Sequence, residues 1–176
     1  MAQSTSILTV WDPFVRTFHW SLATAFAVGW LTAESMPQLH QQIGYFIGLL
    51  LVLRLLWGLV GSRYARFRDF LAPPTQVMRY LRSLLSARPL HYVGHNPVGG
   101  WMIVAIIGAL SVTVVTGWTL GNGSEQLEEI HEAGAELTLA LVMIHIGGVL
   151  LASMLHKENL VAAMLTGRKQ AGEENV

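Results

Sequence analysis

EQLEEIHEAGAELTLALVMIHIGGVLLASML, running from Glu125 to Leu155, is the stretch whose reading decides the fold. It contains no proline and turns apolar after Glu136. Such a run reads as one helix, longer than the roughly 20 residues that cross a bilayer core. His131 and His145 lie fourteen positions apart within it. At about 100° per residue, fourteen steps bring the second side chain back to within roughly 40° of the first. At about 1.5 Å per residue, the two stand roughly 21 Å apart along the axis. One helix face therefore carries two imidazoles at two depths. An ionisable side chain inside a membrane is costly against lipid, so it is read first as functional.

The rest of the chain fits this setting. It has 176 residues, enough for a single domain over 1–176, and is 52% hydrophobic but only 12% charged. Soluble domains carry about twice that share of charge, so a polytopic membrane protein is expected. There is no cysteine. That excludes disulfides, thiolate metal sites, iron–sulfur ligation and thioether-attached haem. The start, MAQSTSILTVWDPF, has no basic region, and no small-residue cleavage site follows the first apolar run. That run is expected to be retained as a span.

Four spans are expected, at about 14–33, 38–60, 98–120 and 126–155. Asp12-Pro13 and Asn96-Pro97 each place a capping side chain before a proline at the first helical position. Between the second and third spans, Ser62 to Asn96 is basic, with Arg63, Arg66, Arg68, Arg79, Arg82 and Arg88 against Asp69 alone. After Pro73-Pro74, TQVMRYLRSLLSAR sets Val77, Leu81, Leu84 and Leu85 opposite its arginines. This predicts a short amphipathic helix at the headgroups. Gly121 to Ser124 predicts a tight turn.

Ten of the eleven Lys and Arg lie at or beyond span ends on one side: all but Arg54. The other side carries Glu34, Glu125, Glu128, Glu129 and Glu132. The positive-inside rule then puts both termini and the long loop in the cytoplasm. The expected fold is all-α: an integral membrane four-helix bundle, N-in/C-in, with a short amphipathic interfacial helix in the cytoplasmic loop.

Orientation sorts the histidines by depth. His19 and His145 fall in the inner half, and His40 and His131 at the outer end. Two imidazoles from facing helices at one level make a bis-histidine axial site for b-type haem in a bundle core. The alternative is four interfacial histidines. Zinc usually takes three or four close ligands, and each pair offers two. Gly44 and Gly48 follow His40, and Gly134 follows His131, leaving room for a flat macrocycle or serving helix packing. Gly147 and Gly148 follow His145 in the same way. Arg54 falls fourteen residues after His40, on nearly the same face and one level lower. It and Arg16, one turn before His19, are candidates to pair with the propionates of the inner haem. Arg54 could instead reach back to the interface. The six Trp read as interface anchors.

Four stretches together resemble the bacterial cytochrome b561 family, which includes the b-type cytochrome subunits of nickel–iron hydrogenases. They are VWDPFVRTFHW, LHQQIGYFIGLLLVLRLLWGLVGSRYARF, GHNPVGG and HEAGAELTLALVMIHIGGVLLASMLHKENLVAAMLTG, and they extend from Val10 to Gly167. The resemblance implies a four-helix membrane bundle in the bacterial inner membrane. It implies two b haems, ligated by His19 and His145 (inner) and by His40 and His131 (outer). It also implies electron transfer between the membrane quinone pool and a partner.

The expected function is a dihaem b-type cytochrome passing electrons across the inner membrane between the quinone pool and a periplasmic c-type cytochrome or dehydrogenase subunit. The acidic outer rim could steer a basic partner. The alternative is a free-standing superoxide:quinone oxidoreductase, against which the outer face offers no Lys or Arg to an anion. His91, His95 and His156 read as interfacial structure, or as proton exchange beside a quinone. A homodimer is allowed but not demanded, and no nucleic-acid partner is expected.

Overall fold

A computed structural model describes residues 7–86, 90–120 and 124–170. Four long helices dominate. α1 is Pro13–Thr32, α2 is Pro37–Val60, α5 is Pro97–Thr119 and α6 is Glu125–His156. Between α2 and α5 lie α3 (Phe67–Phe70) and α4 (Pro74–Ser83). After α6 comes α7 (Leu160–Thr166). Three helices, α2, α5 and α6, are long and apolar enough to cross a membrane. α1 has 20 residues and packs along α2. The turn expected at Gly121 to Ser124 lies mostly outside the described residues, as does Arg88.

Helix starts follow local chemistry. Asp12 accepts a 2.8 Å hydrogen bond from the Val15 amide, with Pro13 behind it. Asn96 does the same for Gly99 at 2.7 Å before Pro97. Each side-chain oxygen satisfies an amide that has no intrahelical partner.

Backbone packing runs α1 on α2, α2 on α5 and α5 on α6. The core sits among the first three, built by Ala25, Ile47, Leu51, Ile107, Leu110 and Val114. α6 adds little to it. The residues α6 buries are Gly134, Thr138 and Ala152, a row of small side chains that lets it approach α5 closely.

The fold is not helical throughout. β1 (Ile7–Thr9) and β2 (Arg168–Gln170) form an antiparallel pair, with Leu8 opposite Lys169. The amides of Val10 and Trp11 both donate to the Gly167 carbonyl. Beside this clamp, Val10, Trp11, Val15, Ala65, Val93 and Ala163 form a second cluster. Trp11 is therefore a core residue and not an interface anchor. Both described ends and the basic loop thus gather at one end of the helices, opposite Glu34 and the exposed glutamates that open α6. The amphipathic helix also differs from expectation. It ends at Ser83, and its inward face is Val77, Tyr80 and Leu84, whereas Leu81 and Leu85 are exposed. The expected stripe left out Tyr80, which packs against Tyr92.

Candidate functional site

Helix direction puts the four histidines into two pairs, and the structure brings the same pairs together. His40 of α2 and His131 of α6 have ring centroids 6.0 Å apart. His19 of α1 and His145 of α6 have centroids 6.4 Å apart. An imidazole nitrogen binds a transition metal at about 2 Å and lies about 1.1 Å from its ring centre, so two imidazoles on opposite sides of one metal place their centroids roughly 6.2 Å apart. Both pairs have that span. Among the described residues no group of three or more His, Asp or Glu could hold a metal ion. The two-ligand pairs therefore suit an iron whose other ligands come from a macrocycle.

The His40–His131 pair is held in a definite tautomer. His131 Nδ1 lies 2.8 Å from the Thr113 carbonyl oxygen, and His40 Nδ1 lies 2.9 Å from the Gly29 carbonyl oxygen. A carbonyl can only accept, so each Nδ1 must carry the proton and donate it. Nε2 is then left with its lone pair, the state a metal ligand needs. Both carbonyls also accept from a threonine hydroxyl of their own helix, Thr116 and Thr32 respectively. Among the described residues neither His19 nor His145 has such a bond, and His19 Nδ1 is buried without a partner. Trp20 stands edge-on to the His19 ring at 5.0 Å.

Sequence reasoning missed Gly29, Thr113 and Gly117. A side chain at Gly117 would begin 2.9 Å from His131 Cε1, so glycine here lets the ring lie on α5. Nothing local in the sequence marks these residues, because the histidines they touch lie 11 to 18 residues away in the chain. The glycines that were singled out divide. Gly44 has open space where a Cβ would be. At Gly48 that space is filled by Trp118, and at Gly134 by the Thr113 hydroxyl 2.6 Å away. Gly48 and Gly134 are helix-packing glycines in this structure. Gly147 and Gly148 are open, as Gly44 is.

Arg54 reaches toward the basic loop beyond α2, but it is buried there and not in solvent. It is 3% exposed, its Nη2 donates to the Ala65 carbonyl at 3.1 Å, and its guanidinium lies 5.0 Å from the Phe67 ring centre. Among the described residues its Nη1 is buried without a partner. Arg16 donates to the Leu165 carbonyl, and its Nε is likewise buried and unpartnered. Two orphaned cationic donors suit an acidic group such as a propionate.

Residues 10–167 match the sequence profile described as "Prokaryotic cytochrome b561". The chain belongs to the prokaryotic cytochrome b561 family. Curated relatives of this cytochrome b561 chain share low identity over long alignments. The "Probable Ni/Fe-hydrogenase B-type cytochrome subunit" of Rhizobium leguminosarum bv. viciae is 22% identical over 211 residues, covering 91% of this chain and 87% of that protein. The protein of the same name from Azotobacter vinelandii is 22% identical over 210 residues, covering 90% and 86%. No solved structure matches the chain. Family membership makes this a membrane b-type cytochrome, with haem b as its cofactor and electron transfer as its work.

The three remaining histidines sit in the basic end. His95 is wedged between Trp11 and Phe70, with centroids 4.5 and 4.8 Å away. Burial, and then the charge of Arg54, push its pKa down to about 3. His91 Nε2 lies 3.3 Å from Glu158, which also binds Lys169 at 3.2 Å, and the His156 ring stands edge-on to His91 with centroids 5.0 Å apart. Lys169 further donates to the Tyr92 carbonyl at 3.2 Å. These contacts tie the basic loop to the end of α6 and to β2.

Proposed function

We propose that this cytochrome holds two b haems in a four-helix membrane bundle, one on His40 and His131 and one on His19 and His145. It conducts electrons between a redox partner on the acidic side and quinone on the basic side. The observation that carries this reading is the pair of ring separations, 6.0 and 6.4 Å, each spanning one iron. Haem b supplies one-electron iron chemistry when bound. The protein's part is ligation, tautomer control through Gly29 and Thr113, and charge compensation by Arg16 and Arg54. Gly44 borders the outer haem.

The positive-inside rule places the termini and the basic loop in the cytoplasm and the glutamates of α6 in the periplasm, across the bacterial inner membrane. Relatives named as hydrogenase cytochrome subunits support a periplasmic dehydrogenase as the partner, with a c-type cytochrome as the other candidate. The exposed glutamates Glu125, Glu128, Glu129 and Glu132 suit a basic docking surface. They also disfavour superoxide as a substrate, because like charge repels it.

A pyridine haemochrome assay on the purified chain tests the proposal. Two b haems per chain are expected, falling to one in His40→Ala or His131→Ala and to one in His19→Ala or His145→Ala. One haem in the wild type would remove a pair from the reading.

A further inference from the structure

Away from the histidine pairs, the end of α6 forms a second polar site. An open pocket of about 200 Å³ lies there, lined by Lys157, Glu158, Asn159, Thr166, Arg168 and Lys169 among others. Its charges do not cancel. Glu158 is shared by Lys169 and His91. Among the described residues neither Lys157 nor Arg168 has an acidic partner, and both are exposed. Among the described residues, the concavity therefore carries two cations without an acidic partner.

Lys157 is the more telling of the two. It caps α6 in the left-handed conformation, with φ 53° and ψ 34°, and is the only non-glycine residue of positive φ among those described. Glycine is the usual occupant of that position because a Cβ is strained there. A lysine in its place keeps a charge at this spot against the backbone's preference.

The two helices that carry the pocket also expose apolar side chains. Leu151, Met154 and Leu155 on the last turns of α6 are exposed, as are Val161 and Leu165 on α7. α6 is one of the helices fit to cross a membrane, and it ends at the pocket. A ligand held there has cations in the pocket and exposed apolar side chains elsewhere on the same two helices.

We propose that this pocket binds the phosphodiester of an anionic phospholipid, with Lys157 and Arg168 on the phosphate and the acyl chains along Leu151, Met154 and Leu165. A basic pocket at headgroup depth is the setting in which acidic lipids are held. Phosphate is the shared chemistry of a lipid and of the free ion. The apolar flank is what favours the lipid.

The test is native mass spectrometry of the detergent-solubilised full chain with phosphatidylglycerol as probe, beside phosphatidylcholine and inorganic phosphate. The wild type is expected to retain phosphatidylglycerol over phosphatidylcholine. Lys157→Gly with Arg168→Gln should weaken phosphatidylglycerol binding at least about tenfold. Lys157→Gly alone should keep or raise the melting temperature, because glycine suits left-handed backbone. That separates lost binding from lost folding. Equal binding by wild type and double variant overturns the proposal, as does equal retention of the two lipids. Complete displacement by excess inorganic phosphate overturns the lipid in favour of a free anion. Binding that arises only after residues 171–176 are removed would assign the pocket to Glu173 and Glu174 of the chain's own end, and would also overturn it.

Discussion

His131 Nδ1 donates to the Thr113 carbonyl oxygen across 2.8 Å, and Gly117, one turn further along α5, leaves the space in which the ring lies. His40 repeats the arrangement on α1 with Gly29. Each outer imidazole is thus oriented by the backbone of a helix that carries no member of its pair.

Gly117→Leu is expected to displace the His131 ring and, on the proposed two-haem function, to lower haem from two per chain to one. Gly108 lies on the same helix with open space around it, so Gly108→Ala should leave the count unchanged. A pyridine haemochrome count per chain measures both. Two haems retained in Gly117→Leu would show that the ring does not need its seat on α5.

Arg54→Met removes a buried positive charge that the proposed function places beside the haem of His19 and His145. Loss of a neighbouring cation stabilises the oxidised, more positive iron. The inner midpoint potential should therefore fall by roughly 40 mV, about 1 kcal/mol for one electron. The outer potential should hold. Arg79 on α4 is exposed, and Arg79→Met should move neither. Potentiometric titration of the Soret band resolves the two cases. An unmoved potential in Arg54→Met would take Arg54 away from the site.

His95 makes stability depend on pH. Its folded pKa of about 3 lies below the ordinary 6.5, so the unfolded chain binds the extra proton between those values. The His95 contribution is complete above about pH 6.5 and is lost as pH falls toward 3, with a limiting slope near 1.4 kcal/mol per unit. His95→Phe should flatten this part of the curve of melting temperature against pH. Parallel curves for the two proteins would refute the buried, neutral state.

Gly167 joins α7 to β2 at φ +80°, and a Cβ there would start 2.7 Å from the Trp11 carbonyl oxygen. Gly167→Ala should cost about 1–2 kcal/mol and lower the melting temperature by roughly 2–8 °C for a chain of this size. Haem content should not change. Differential scanning calorimetry in detergent checks the shift, and an unaltered transition would mean the terminal clamp adds little.

Much of this was readable along the chain because it depends on near neighbours. Asp12-Pro13 and Asn96-Pro97 announce helix starts through a bond to the amide three residues on. The two-depth spacing of His131 and His145 follows from helical rise alone, and alternating helix direction then pairs them with His40 and His19. Other features depend on which surfaces meet, and the tertiary structure decided them. Gly48 and Gly134 pack against α5, whereas Gly44 stays open, and all three look alike in sequence. Arg54 is pinned by a carbonyl at Ala65, in the loop beyond its own helix. Leu8 and Lys169 pair across almost the whole chain, and no local pattern marks either as a strand. Periodicity and capping act within a few residues, so the amino-acid order shows them directly. The seat of an imidazole or the partner of a buried cation is fixed only when distant helices choose their contacts.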